Sequence, residues 1–331
     1  MDFIITWVDG NDPDWQKEYL KYKKTNNKAT HAARFRQWDN LHYWFRGVEK
    51  FAPWVDKIHF VTWGHLPKWL NTKHPKLNIV RHEDYIPKKY LPTFNSHTIE
   101  LNFHRIAELS NNYVYFNDDI FLINQVKEED FFKNGLPCDM AISLITRSSP
   151  GFFRILHNNL YILNKHNKNK RKNILRKPFN WFNFKYGPIS WRNLSLALST
   201  NYYTGFQYYH LQQPFLKSTL AKLWEKEFEI FDRTCSHKFR DYDLDINSYL
   251  QRYWELATNN FYPINIRKLG SVFRIFHEVK DETIDFIKQQ KKTSVCINDY
   301  DSLTEKSFLE GKQKVNAALD HILPEKSGFE N

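Results

Sequence analysis

Short apolar runs and longer helical stripes alternate along the first 150 residues of the chain. Residues 3–8 form an apolar run closed by Asp9-Gly10, the pattern of a strand followed by a turn. Leu41, Trp44, Phe45 and Val48 recur at three- and four-residue spacing, which predicts a helix over about 39–51. Residues 57–63, closed by Gly64, and 77–81 predict two more strands. Asn95 or Ser96 can cap a helix running to about residue 110. Residues 113–116 read as a strand that ends in Asn117-Asp118-Asp119, and 140–145 as another. Further on, helical patterns cover about 214–231, 244–256 and 303–322, and a short apolar run at 294–297 leads into Asn298-Asp299-Tyr300-Asp301.

Strands and helices alternating at this length predict an α/β fold, a mostly parallel Rossmann-type sheet flanked by helices, with a largely helical C-terminal half. The expected divisions are an α/β core over 1–150, a basic and aromatic insertion over 151–213, and a helical part over 214–331 completing the same unit. Ligands of such sheets bind beyond the carboxyl ends of the strands. Asp9, His82-Glu83-Asp84 and Asp118-Asp119 all fall at predicted carboxyl ends, which gathers carboxylates on one rim.

Composition narrows the function. Hydrophobic residues make up 41% and aromatics 17%, including eleven Trp, far too much for a disordered chain. The net charge of +11 is compatible with nucleic acid, anionic membrane or an anionic substrate. No zinc-finger spacing, ribonucleoprotein motif or basic heptad region is present, so nucleic acid is not expected. The basic run over 164–177 reads as an exposed loop, with contact to an anionic membrane or polymer as the sharper alternative. Three widely spaced cysteines build neither a disulfide framework nor a C-x-x-C site, which suits a reducing compartment. No run of about 18 apolar residues occurs, and the N-terminal run is interrupted too early for a signal peptide. The expected location is cytoplasmic, with peripheral attachment to the inner face of the membrane left open.

The chemistry is carried by acids. On a strand alternate side chains share a face, so Asn117 and Asp119 point together and Asp118 opposes them unless the chain turns there. A hard cation such as Mg2+ takes one or two carboxylates together with substrate phosphates. Asp299 and Asp301 repeat the two-residue spacing after a second apolar run. A lone Asn-Asp-Asp is more often a polar turn; two such clusters favour a site. His97, Glu100, Leu101 and His104 share a helical stripe, without the His pair around Glu that marks metalloproteases. No glycine-rich phosphate loop is present, so a diphosphate would rest on metal, helix N-termini and arginines such as Arg34, Arg36, Arg105 and Arg240.

Taken together the motifs resemble the Stealth family, hexose-1-phosphate transferases of bacterial capsule synthesis related to the animal N-acetylglucosamine-1-phosphotransferase. Four blocks appear in order: Ile5-Thr6-Trp7-Val8-Asp9-Gly10-Asn11-Asp12-Pro13; a long one from Arg34-Phe35-Arg36 through Leu91-Pro92-Thr93-Phe94-Asn95-Ser96 to Asn117-Asp118-Asp119; His210, Lys217, Phe239-Arg240 and Asp243; and Cys296-Ile297-Asn298-Asp299, closing at 324–330. The resemblance implies a glycosyltransferase-A-like fold and transfer of sugar-1-phosphate from a UDP-sugar to a saccharide hydroxyl, with Mg2+, or Mn2+, at the diphosphate. Its functional positions fall on Asp9, Glu100, Asp119, His210, Arg240 and Asn298. The expected catalytic set is His210, Glu100, Arg240 and Asp9. Asp9, Gly10, Arg34, Arg36, Asn95, Ser96, Arg105 and Asn117 are expected around the donor, and Asp118, Asp119, Asn298 and Asp299 at the metal. A polysaccharide acceptor and capsule-assembly proteins are the implied partners. The alternatives are a conventional glycosyltransferase releasing UDP and a non-catalytic polysaccharide- or membrane-binding protein.

Overall fold

The computed structural model describes residues 1–23 and 36–331. Eleven strands organise the described residues: β1 (Asp2–Trp7), β2 (Ile58–Thr62), β3 (Leu77–Arg81), β4 (Asn112–Phe116), β5 (Ile120–Leu122), β6 (Phe132–Lys133), β7 (Leu136–Asp139), β8 (Gln213–Leu216), β9 (Tyr262–Pro263), β10 (Gly270–Ile275) and β11 (Ser294–Asp299). The central sheet runs β3-β2-β1-β4-β8, parallel except for β8. The α/β class expected from the alternation is the one observed. A second sheet, β10-β11-β5, abuts it, and β6-β7-β9 make a third.

Alternation along β1 explains the layers. Phe3 and Ile5 enter one core with Trp44, Phe45 and Val48 of the Leu41–Phe51 helix, while Ile4 enters the core on the opposite face. Gly47 lets that helix lie directly on β5, because a Cβ there would sit 2.6 Å from the Leu122 carbonyl oxygen. The strand order turns between β1 and β4, whose neighbours lie on opposite sides, and this opens a crevice beyond their carboxyl ends.

Several predicted elements differ in extent. The helix expected over 95–110 stops at Leu101, because Asn102 donates its side-chain amide to the Thr98 carbonyl and a 3-10 turn follows. Residues 140–145 form no named strand, although Leu144 and Thr146 donate to the carbonyls of Gly205 and Thr204. The helix expected from residue 214 starts at Lys217. Before it β8 pairs antiparallel with β4 at the sheet's edge, the place where Pro214 costs no ladder bond. The strand β10 has no counterpart in the periodicity reading. The basic run is not a loop: Lys170–Arg176 is helical, with Lys170 buried.

The three sequence divisions interlock. β8 (from Gln213) completes the central sheet, and β10 and β11 form the second sheet with β5, so both sheets combine strands from the first 150 residues with strands from residue 213 onward.

Candidate active site

Beyond the carboxyl end of β4 lies a cleft of about 800 Å³, with Asn117, His210, Arg274 and Asn298 among its lining residues. Asp119 follows β4 in the turn to β5, and β5 is held by β11. That pairing brings Cys296 and Asn298, two residues apart on one face of β11, onto its carboxylate. Asn298 Nδ2 donates to Asp119 Oδ2 at 3.0 Å, the Cys296 thiol donates to it at 3.3 Å, and His210 Nε2 lies 3.1 Å away. Asn117 Nδ2 also lies 3.3 Å from His210 Nε2. Asn117 and Asp119 thus converge on one imidazole from the turn that follows β4, which the Ile120 N–H to Asn117 carbonyl bond closes.

The second oxygen, Asp119 Oδ1, is buried and has no hydrogen-bond partner among the described residues. Burial works against the Asp119 charge, but the His210 imidazole and the Asn298 and Cys296 donors hold its pKa below the ordinary value. Burial depresses His210 too, yet the adjoining Asp119 carboxylate wins and raises it. Asp118 is solvent-accessible but set deep among protein atoms. Desolvation and the neighbouring Asp119 charge push it up to about 7.

Asp119, His210 and Cys296 can place one ligand atom each within 4.8 Å of one another, a group able to hold a metal ion. Burial, and then Asp119, drive the Cys296 pKa far up, so the metal-free sulfur is a thiol that donates to Asp119. The unpartnered Asp119 Oδ1 is a hard oxygen in the same group.

Asp299 departs from the expected metal set. Alternation turns it away from Asn298, and its carboxylate lies 3.6 Å from the Arg36 guanidinium. Asp301 is exposed beyond the strand end. The second acidic cluster therefore supplies Asn298, not two carboxylates, to Asp119. Arg36 is bound to that carboxylate and to the Leu303 carbonyl. Arg34 lies outside the described residues.

Glu100, Ser96 and Arg240 line the opposite wall of the cleft. Arg240 Nη2 donates to Ser96 Oγ at 2.6 Å and Ser248 Oγ donates to Glu100 at 2.5 Å. The Arg240 loop is fixed by Asp245, a fully buried carboxylate that accepts from Asn95 Nδ2 (3.0 Å), the Asp241 backbone N–H (3.0 Å) and His237 Nδ1 (2.6 Å), with His97 Nδ1 at 3.3 Å. Asn95 caps the Ser96–Leu101 helix and is itself fully buried, so it braces the wall and is not among the residues lining the cleft. Arg105 is a second correction: it is exposed, stacked 4.8 Å over Trp224 and hydrogen-bonded to Asn102. The His97–His104 stripe dissolves as well. His97 is taken by Asp245, and His104 sits past the helix end against Trp224, its pKa pushed down to about 3 by burial.

Asp9 and Gly10 lie at the end of β1. The Asp9 backbone N–H donates to His65 Nε2 at 2.7 Å, its carboxylate accepts from Asn11 N–H, and Gly10 is buried with its carbonyl held by Gln16. Neither is among the residues lining the cleft.

The periodicity reading missed Arg274, Tyr208 and Ser248 in the cleft walls. Val272, Arg274 and Phe276 line it at alternate positions, as do Phe206, Tyr208 and His210. That period of two is a visible signal once each segment is known to be extended. Arg274 lies opposite Asn298 in the β10–β11 register.

An α/β enzyme with an acid–imidazole centre at the switch point of its sheet is the class this geometry defines, and sequence comparison says which one. Residues 1–27 match Stealth protein CR1, conserved region 1, and residues 34–139 match Stealth protein CR2, conserved region 2. The chain is 43% identical over 332 residues to the capsular polysaccharide phosphotransferase WcwK of Streptococcus pneumoniae, covering 100% of this chain and 98% of that protein. It is 36% identical over 337 residues to the receptor polysaccharide phosphotransferase WefC of Streptococcus oralis, covering 100% and 99%. The chain belongs to the Stealth family and is a phosphotransferase. Among solved structures, the galactosyltransferase LgtC in complex with donor and acceptor sugar analogs resembles it with a TM-score of 0.39 and 9% identity, over 96% of this chain and 95% of that one.

Proposed function

We propose that this phosphotransferase moves a sugar-1-phosphate, N-acetylhexosamine-1-phosphate as the first donor to test, from a UDP-sugar to a hydroxyl of a saccharide acceptor in capsular polysaccharide synthesis. The acceptor oxygen attacks the phosphorus that carries the sugar. The phosphorus–oxygen bond to the UMP half breaks, UMP leaves, and a phosphodiester forms. The bond to the anomeric carbon is untouched, so its configuration is retained.

The observation that carries the reading is the unpartnered Asp119 Oδ1 beside a complete network on Oδ2. A network of this kind fixes a carboxylate and leaves one hard oxygen for a cation. Asp119 and Asp118 would hold Mg2+, or Mn2+, with Asn298 as orienting partner. When bound, the cation neutralises diphosphate charge. Arg240, braced by Ser96, would meet charge on the transferring phosphoryl group. His210 would take the acceptor proton, with Glu100 across the cleft as the other candidate base; such transfer contributes roughly 100- to 10,000-fold. Asp9, Gly10 and Ser96 are proposed to flank the donor, in a glycosyltransferase-A-like arrangement.

One assay tests the reading. The protein is supplied with UDP-N-acetylhexosamine, Mg2+ and an oligosaccharide primer, and the released nucleotide is identified. UMP, with a phosphodiester signal in the phosphorus NMR of the product, supports it. UDP would make the enzyme a conventional glycosyltransferase, and absence of turnover across a panel of nucleotide sugars would leave only a binding role.

A further inference from the structure

Between Met140 and Trp224 the chain contains thirteen Lys and Arg and no Asp or Glu, against a net charge of +11 for the whole sequence. The rest of the protein is therefore slightly acidic, and the positive charge is concentrated in this stretch. Part of it folds as consecutive short helical pieces, Lys170–Arg176, Pro178–Trp181, Phe184–Ser190 and Trp191–Ser199.

The inner side of these pieces is anchored by buried polar groups. Asn193 is fully buried, accepts from the Ser143 backbone N–H at 2.7 Å and donates to the carbonyls of Ala141 and Trp181 at 2.7 and 2.6 Å. The ammonium of buried Lys170 donates to the Leu196 carbonyl at 2.9 Å. The outer side is apolar where a water-facing surface would be polar. Leu175, Phe179, Phe184, Trp191 and Leu198 are 77, 81, 88, 68 and 72% exposed. Trp191, Leu194 and Leu198, spaced three and seven apart, form one stripe on the last helix, turned away from the Asn193 anchor. Arg171 donates to the carbonyls of Ala197 and Leu198 at 2.7 and 3.1 Å, which fastens the cationic helix beside the end of that stripe. Exposed apolar residues concentrated in this way mark an interaction surface.

We propose that this surface docks the enzyme peripherally on an anionic lipid bilayer. The Phe, Trp and Leu side chains enter the interfacial region, and Lys172, Arg176 and their neighbours face headgroup phosphates. Charge selects this occupant. A second copy would bring two strongly cationic segments together, and a hydrated polyanion would gain little from five exposed apolar side chains. No helix among the described residues is long and apolar enough to cross the membrane, so the attachment is peripheral. The anchor at Ser143 adjoins Leu144 and Thr146 of the cleft wall in sequence, which ties the inner side of the docking segment to that wall.

The test is co-sedimentation of the full-length protein with phosphatidylcholine vesicles prepared with and without phosphatidylglycerol. Binding is expected only with the anionic lipid and should weaken as salt rises. Lys172→Gln with Arg176→Gln should weaken it by about fivefold per cation removed. Trp191→Ser with Leu198→Ser should weaken it further, with circular dichroism and turnover on a water-soluble acceptor unchanged. Should the apolar pair misfold, the charge pair, on exposed side chains, still decides. Equal binding to neutral vesicles, no binding to anionic ones, or equal binding by all variants would overturn the proposal. So would retention on dextran sulfate without vesicle binding, or a dimer that the Trp191→Ser pair dissociates while vesicle binding is absent.

Discussion

Asp119 is positioned by residues 91 and 179 positions away, His210 and Asn298, so a small change there removes several interactions together. Asp119→Asn keeps the shape but replaces the charge and disturbs the donors on Oδ2. Turnover should fall at least about 100-fold, the scale of losing metal-assisted charge stabilisation. Steady-state kinetics at saturating Mg2+ measure it, and a variant within tenfold of the parent would remove Asp119 from the site. His210→Asn should cost roughly 100- to 10,000-fold in kcat if the imidazole takes the acceptor proton. Near-normal turnover would move that role to Glu100. In sequence a period of two put Asn117 and Asp119 on one face; both do meet His210, but from the turn after β4, where strand alternation does not apply. The same rule, applied to Asn298-Asp299-Tyr300-Asp301, favoured Asp299 with Asp301. The structure sends Cys296 and Asn298 inward, because β11 continues to Asp299 and its face is set by pairing with β5. A register is a tertiary fact, and local spacing does not contain it.

At the scale of the element, the Tyr249–Ala257 helix clamps two strands to the core. Arg252, fully buried, makes a bidentate pair with Asp139 at 2.7 and 2.8 Å, at the end of β7. Asp139→Ala would leave a buried guanidinium without its counter-charge, and should cost about 3–5 kcal/mol in chemical denaturation. Loss of under 1 kcal/mol would mean that the cation finds water. One turn along the helix, Glu255 accepts from the Leu216 backbone N–H at 3.1 Å and from Gln251 at 3.3 Å, and Gln251 in turn donates to the Leu216 carbonyl. Burial pushes the Glu255 pKa up to about 8, above the ordinary 4.5. A carboxyl whose folded-state pKa is raised stabilises the fold most below the unfolded value, and that stability is lost as pH rises through the folded one. Between about pH 4.5 and 8 the loss is at most about 1.4 kcal/mol per pH unit. Glu255→Gln, which mimics the neutral acid, should flatten the fall in melting temperature across that window. An unchanged slope would assign the pH dependence elsewhere. None of this clamp was legible, since Arg252 and Glu255 lie in a stretch that reads as an ordinary amphipathic helix.

For the whole molecule, the last residues close the fold onto its beginning. Phe329 is buried against Phe45 and His74, and Glu330 grips Arg46 through two bonds of 2.8 Å. The Asn71 backbone N–H donates to the Phe329 carbonyl and Asn331 N–H to that of Trp69. The closing motif that takes part in the family resemblance therefore has a structural explanation, packing at the Leu41–Phe51 helix, and none of its residues lines the cleft. Phe329→Ala should destabilise by about 3–5 kcal/mol, the cost of deleting a buried aromatic ring. The same helix packs on β5, directly before β11 joins the site, so loss of the tail should lower the folded fraction rather than alter the chemistry. Urea unfolding should show a lower midpoint with an unchanged slope, while kcat per folded molecule stays within about twofold of the parent. A large drop in kcat at full folding would instead show that the tail is coupled to the Asp119 network through that helix and β5.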